Sequence, residues 1–246
     1  MLIKYLRLLL ALADAFFIVW VKFPSAGREQ KLTYMRKWSA HVLDVMQIRV
    51  HANLASTKID LSAAQLLVAN HVSWLDVLVI QSIQPSVFVA KSEVRRWPLI
   101  GKLAQACGVI FVDRSSPSSA KKMVEDVTTA LHHGYRIAGF PEGTSSQGHD
   151  VSLFHANLFE AAINRDTPVL PLALRYTNSV TKCLCLKAAF VGEIGFIESL
   201  HQIMTERSIN VDVRYGECLL PLGHSRRTLA HLSHRSVAHQ LITLQA

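Results

Sequence analysis

Cysteine is scarce in this chain of 246 residues, which has only Cys107, Cys183, Cys185 and Cys218. They form no C-x-x-C pair and show no zinc-like spacing, so a redox motif or a structural zinc site is excluded and the thiols read as reduced, in a cytoplasmic compartment. Acidic residues are also few, 18 against 26 lysines and arginines, for a net charge of +8. That balance suits an anionic partner: membrane phosphates, an acidic carrier protein or nucleic acid. Aromatic residues are nowhere interleaved with the basic ones as in a nucleic-acid module, which sets nucleic acid aside. Internal repeats and low-complexity linkers are missing too, so the chain reads as one large domain with a short appendage. A serine hydrolase of the lipase type would need G-x-S-x-G at a strand-to-helix elbow. The nearest stretch, Gly143-Thr144-Ser145-Ser146-Gln147-Gly148, has one residue too many.

Apolar residues, by contrast, are plentiful: half of the chain is hydrophobic and the mean hydropathy is +0.24. Met1 to Val21 is apolar but interrupted by Lys4, Arg7 and Asp14. A signal peptide is not indicated, because Asp14 splits the apolar middle and no small-residue cleavage site follows. For a span, the apolar residues contribute about −0.3 to −0.6 kcal/mol each and a central Asp costs about +2.5 to +3.5, so the contributions nearly cancel. Basic residues flank both ends, and no orientation is favoured. The segment therefore reads as a helix lying in or dipping into the bilayer interface rather than as a committed span. A second helix is predicted from about Arg28 to Met46, with Leu32, Met35, Trp38, Val42, Val45 and Met46 on one side. That stripe suits either a membrane surface or a protein core. The expected division is thus residues 1–46 as membrane-associating helices and 47–246 as the catalytic domain.

From Gln47 the period changes. Strands are predicted at Ile48–Ala52, Leu66–Ala69, Val87–Ala90, Val109–Asp113, Arg136–Phe140, Val169–Leu174, Leu184–Phe190 and Asn210–Tyr215. Helices are predicted at Trp74–Ile83, Leu99–Ala106, Ser118–His132, His155–Asn164, Phe196–Thr205 and from about Arg226 to Leu241. This alternation predicts an α/β fold with a largely parallel or mixed sheet covered by helices on both faces.

Three strand ends carry polar groups. The run Leu66 to Ala69 ends in Asn70-His71, and an apolar helix pattern starts at once. Ser73 stands where an N-cap belongs, with Asp76 three residues on as in a capping box. On one continuous helix His71 and Asp76 would lie about 140° apart. They meet only if His71 precedes the helix and folds back over its amino end. Asp76 would then fix the tautomer of His71 and leave the other ring nitrogen free as a base. The plainer alternative is a helix start in which Asp76 serves only the amino end, worth about 0.3–1 kcal/mol. Past the next such strand comes Arg114, suited to a bidentate grip on a phosphate or to simple solvation. The third end is Phe140-Pro141-Glu142-Gly143-Thr144-Ser145, a Pro-led turn whose amides and hydroxyls can face an anion, or an ordinary turn. All three follow strands of one proposed parallel sheet, so they project from one edge, where ligands bind in open α/β sheets.

Taken in order, Asn70-His71-x-x-x-x-Asp76, Gly108-x-x-Phe111-x-x-Arg114, Phe140-Pro141-Glu142-Gly143-Thr144 and Val169-Leu170-Pro171 resemble the four motifs of the glycerolipid acyltransferases, above all the bacterial lysophosphatidic acid acyltransferases. Ser145 stands where many members carry Arg. The resemblance implies that His71 takes the proton of a lysophospholipid hydroxyl as its oxygen attacks a thioester, with Asp76 orienting the imidazole. It further implies that Arg114, Glu142, Gly143 and Thr144 hold the glycerol-phosphate head, with Asn70, Ser73, Phe140, Pro141, Ser145 and Pro171 in support. A thioester is already activated, so no cofactor, metal or covalent acyl-enzyme is expected. The implied partners are a membrane lysolipid and an acyl donor carried by acyl carrier protein or coenzyme A. The implied place is the cytoplasmic face of the inner membrane, by peripheral association or through one amino-terminal segment. Lysophosphatidic acid is the default acceptor, and a lyso-ornithine lipid or another lysolipid is the alternative. The densest basic stretch, Lys91 to Lys102 with Arg95 and Arg96 at its centre, suits an acidic carrier, coenzyme A phosphates or the membrane surface. A serine hydrolase and a non-catalytic membrane-binding module are the rival readings of the whole.

Overall fold

The computed structural model describes residues 1–53, 63–113 and 116–245. Two helices open the chain, α1 (Leu2–Phe17) and α2 (Arg28–Val45), joined by a π turn over Ile18–Lys22 and a 3-10 turn over Phe23–Ser25. Gln30 accepts the N–H of Gly27 at 3.1 Å, which occupies one amide that the start of α2 leaves unpaired. There follow β1 (Ile48–Asn53), β2 (Leu66–Ala69), α3 (Leu75–Ile83), β3 (Val87–Lys91), α4 (Ile100–Ala106), β4 (Ile110–Val112) and α5 (Pro117–His132). The chain continues through β5 (Ile137–Gly139), α6 (Asn157–Asn164), β6 (Val169–Asn178), α7 (Phe196–Thr205), β7 (Ile209–Tyr215) and α8 (Arg226–Gln245).

The seven strands form one sheet in the order β1-β7-β6-β2-β5-β3-β4. Every neighbouring pair is parallel except β6 with β7. Strand β2 lies in the middle and is buried along its whole length. Its alternate side chains enter different cores, because successive strand residues face opposite ways. Leu67 and Ala69 join Leu43, Met46, Leu75, Ile80, Leu172 and Tyr176 under α2 and α3. Leu66 and Val68 join Val127, Leu131, Phe159 and Leu229 under α5, α6 and α8. The sheet is thus covered on both faces, as the alternating pattern predicts.

The amino-terminal helices share this core. Ala11 of α1 and Val42, Leu43 and Met46 of α2 belong to the same buried cluster as β2 and α3. Trp38 donates its indole N–H to Ala11 O at 2.7 Å, and Lys4 donates to Glu206 O at 3.2 Å. Outward, α1 and the turn after it expose Leu2, Ile3, Leu6, Leu9, Leu10, Phe17, Trp20 and Val21. Among the described residues no helix is long and apolar enough to cross a membrane.

Two expectations are corrected. Residues Leu184–Phe190 form no strand: a single bridge joins Thr177 to Leu184, and a 3-10 turn follows over Leu186–Ala188. The next backbone groups of β6 that a returning strand would need, those of Leu174, are already bonded to the side chain of Asn70. The segment therefore leaves the sheet and crosses its edge as a strap, with Phe190 donating to Val72 O at 2.8 Å. Nor does Ser73 cap α3. That helix starts one residue later than predicted, with no side-chain cap, and the Ser73 hydroxyl is buried without a partner. Of the expected capping box only the acid's half is present: the carboxylate of Asp76 reaches back to the Ser73 N–H, and to that of Val72 as well.

Candidate active site

At the carboxyl end of β2 the backbone must turn sharply into α3, and Asp76 organises that turn. Its Oδ2 accepts the N–H groups of Val72 at 2.8 Å and Ser73 at 2.9 Å. The same oxygen lies 2.8 Å from His71 Nδ1. A carboxylate only accepts, so Nδ1 carries the hydrogen and Nε2 keeps its lone pair. Asp76 is completely buried, whereas the His71 side chain is 24% exposed. Among the described residues Nε2 has no hydrogen-bond partner. The imidazole lies flat on Phe140, with ring centroids 4.2 Å apart and planes at 10°. Ring and carboxylate are therefore locked at the carboxyl end of β2, with the imidazole partly exposed.

Asn70, the residue before, extends the sheet with its side chain. Its Nδ2 donates to Leu174 O at 2.9 Å and its Oδ1 accepts the Leu174 N–H at 2.8 Å. The β2–β6 ladder, whose last pair is Ala69 with Leu172, thereby gains a further rung beyond the end of β2.

Glu142 does something other than reach into open space. It is buried, and each oxygen serves a backbone amide: Oε1 takes His71 N–H at 2.6 Å and Oε2 takes Ser152 N–H at 2.7 Å. Burial raises the Glu142 carboxyl above its usual value, against the opposing pull of these bonds and of His71. Gly143 turns the chain with φ +81 and donates to Phe140 O at 3.1 Å. Ser146 N–H returns to His71 O at 2.8 Å, so this turn and the His71 turn are fastened at two points. Ser145 donates its hydroxyl to Phe190 O. At the position where Arg is common in the resembled family, this side chain ties down the strap. Thr144 is exposed. Pro141 is buried and accepts His155 N–H at 2.9 Å. Pro171 is paired with Val68 inside the sheet and does not reach its edge. Arg114 lies outside the described residues.

Sequence reasoning missed Tyr176. Its hydroxyl donates to Asp76 Oδ1 at 2.6 Å inside the core, and no spacing rule links it to Asp76 across 100 positions. It also missed an aromatic wall beside the site. Trp74 packs on Phe196 at 4.9 Å between centroids, and Trp97 packs on Phe196 and Phe190 at 5.4 and 6.3 Å. Trp97 adjoins a 3-10 turn over Ser92–Arg96, where Lys91, Arg95 and Arg96 are exposed, as is Lys102. None of these four is in an ion pair among the described residues. Chemically, the arrangement offers an imidazole held by a carboxylate, a polar turn, an apolar wall and, next to Trp97 in the chain, a run of exposed cations.

The acyltransferase family model matches residues 47–175, just over half of the chain. A lyso-ornithine lipid O-acyltransferase of Rhizobium meliloti is 35% identical over 193 residues, which cover 74% of this chain and 64% of that protein. A 1-acyl-sn-glycerol-3-phosphate acyltransferase of Neisseria gonorrhoeae is 33% identical over 61% of this chain and 58% of its own length. The chain thus spans about three fifths of these two curated relatives. The crystal structure of the 1-acyl-sn-glycerophosphate acyltransferase of Thermotoga maritima shares the fold, with a TM-score of 0.69, 21% identity and coverage of 99% and 98% of the two chains.

Proposed function

The chain belongs to the acyltransferase family, and on that premise we propose that it transfers an acyl chain from a thioester to the free hydroxyl of a lysophospholipid. The observation that carries this reading is the His71–Asp76 contact at 2.8 Å with Nε2 uncommitted. In the reaction Nε2 takes the hydroxyl proton as the oxygen attacks the thioester carbonyl carbon. The C–S bond then breaks, and the imidazolium returns its proton to the leaving thiolate. Asp76 holds the ring and stabilises the imidazolium; a base so placed contributes about 10²–10⁴-fold. Glu142 acts by holding the His71 backbone rather than by gripping the head group. The turn at Gly143 and Thr144 is the anion side of the site, and the aromatic wall of Trp74, Trp97, Phe190 and Phe196 is the acyl side.

The acceptor we assign is lysophosphatidic acid, giving phosphatidic acid, as the name of the Neisseria relative implies. A lyso-ornithine lipid is the second reading. It is favoured by the Rhizobium relative and by Ser145, whose hydroxyl is spent on the strap where an Arg could meet a phosphate. The exposed apolar side of α1 seats the enzyme on the cytoplasmic face of the membrane, and the rim of Arg95 and Arg96 receives the anionic donor, acyl carrier protein or coenzyme A. One assay matrix tests the proposal: lysophosphatidic acid and lyso-ornithine lipid against acyl carrier protein and coenzyme A thioesters, with products resolved by mass. Acylated product from a single acceptor identifies it. Free fatty acid without acylated lipid would replace transfer by hydrolysis.

A further inference from the structure

Tyr176 touches the carboxylate that holds the His71 ring, and the way it gets there is built into the sheet. Strand β6 outruns β2: their ladder ends at Leu172, while β6 continues to Asn178. On one side the extension is held by β7, with Tyr176 opposite Val211. On the other it is held by the Asn70 side chain at Leu174 and by the strap, whose Cys185 N–H donates to Tyr176 O at 2.9 Å. Tyr176 shares the face of Leu170, Leu172 and Leu174, which lies under α2 and α3. That face meets the first turn of α3, where Asp76 sits. The phenol is almost wholly buried and gives Asp76 Oδ1 a hydrogen bond at 2.6 Å, its one partner among the described residues.

The two oxygens of Asp76 are thus divided. Oδ2 takes His71 and the amides of Val72 and Ser73, and Oδ1, among the described residues, takes only Tyr176. Burial, and then the charge and hydrogen bond of Asp76, hold the phenol well above its ordinary value. At working pH it is a donor that does not ionise. A buried carboxylate oxygen without a donor would be free to turn away. We propose that Tyr176 is a positioning residue for the base, acting through Asp76: its O–H···O bond orients the carboxylate toward His71 Nδ1. This rests on the acyltransferase reading only for its effect on rate; the hydrogen-bond relay itself is a property of the folded chain.

The test uses the full-length enzyme with Tyr176→Phe, which keeps the ring and removes the hydroxyl. For acyl transfer we expect kcat to fall roughly tenfold, a fraction of what a positioned base supplies, with KM for both substrates unchanged. In an Asp76→Asn background the same substitution should cost almost nothing, because its route to His71 is already cut. A purely structural residue would lower both backgrounds by the same factor, and that result overturns the proposal. Independently of turnover, the Nδ1–H proton resonance of His71 in histidine-labelled enzyme should shift in Tyr176→Phe; an unmoved resonance also overturns it. If the parent enzyme transfers no acyl group, the functional reading fails while the resonance still judges the relay. Should Tyr176→Phe not fold, 3-fluorotyrosine at the same position is close to isosteric and a stronger donor. The resonance should shift with it, and an unchanged signal is again the refuting result.

Discussion

Replacing Asn70 by Ala is expected to cost far more stability than removing one polar side chain from an ordinary turn. Asn70 is fully buried, and both ends of its amide are bonded to the backbone of Leu174, at 2.9 Å to the carbonyl and 2.8 Å from the N–H. Alanine leaves these two backbone groups without partners in a dry part of the sheet. An orphaned buried group costs about 1–3 kcal/mol, so the pair gives a loss of about 2–6 kcal/mol. Against a typical total of about 5–15 kcal/mol this is a large share. Asn70→Asp should lose nearly as much at neutral pH, since one carboxylate oxygen would then face the Leu174 carbonyl. Leu174 is two residues before Tyr176, so the loosened end of β6 should also lower kcat. The assay is urea unfolding of the purified variants, read alongside turnover. A loss under about 0.5 kcal/mol, the range of a neutral surface change, would refute the idea that Asn70 stands in for a missing strand rung.

Three further outcomes are expected. Glu142→Gln sets an NH₂ group against one of two backbone N–H donors, which should destabilise the fold by about 1–2 kcal/mol and lower turnover with it. Because burial raises the folded carboxyl above its ordinary 4.5, the folded state binds its proton more tightly than the unfolded chain. That stabilisation is complete below 4.5 and is lost as pH rises through the folded value. The gap between parent and variant in pH-dependent unfolding should therefore narrow from acid to neutral pH; a gap that widens contradicts this. Leu6→Glu with Leu10→Glu places charge on the exposed side of α1, and sedimentation with anionic liposomes should fall at least tenfold, since two buried leucines contribute about 3 kcal/mol or more. Unchanged sedimentation would remove α1 from the interface. Arg95→Glu with Arg96→Glu should raise KM for the acyl donor, more at low salt than at high salt; a KM indifferent to both charge and salt would show that the donor docks elsewhere.

How far the residues alone could lead depends on the range of the interactions. The strands and most helices follow from local periodicity, and β2 shows why: a short apolar run that ends at Asn70-His71 leaves little choice. The His71–Asp76 contact is also accessible, because it joins residues five apart across one turn, where the two side chains meet only if His71 precedes the helix and folds back over its amino end. The capping-box pattern of Ser73 and Asp76 is half met: the acid takes the Ser73 amide, while the serine hydroxyl makes no cap and the same carboxylate also serves the Val72 amide and the imidazole. Leu184–Phe190 misled for a tertiary reason: the groups it would pair with on β6 are used by Asn70. The alternation in that run gives no hint of such competition. Tyr176 lay beyond reach entirely, as its bond to Asp76 joins two elements that only the folded sheet brings together. Glu142 was found as a site residue, yet its two amide partners become visible only in three dimensions.

The most direct test of His71 as the base is single-variant turnover: purified His71→Ala assayed for thioester release and acylated lipid, with its urea midpoint measured beside the parent. The rate should drop about 10²–10⁴-fold at an essentially parental midpoint, because the ring is partly exposed and the turn around it is held by Asp76 and Glu142 through backbone amides. Near-parental turnover from a folded His71→Ala enzyme would contradict the mechanism at its root.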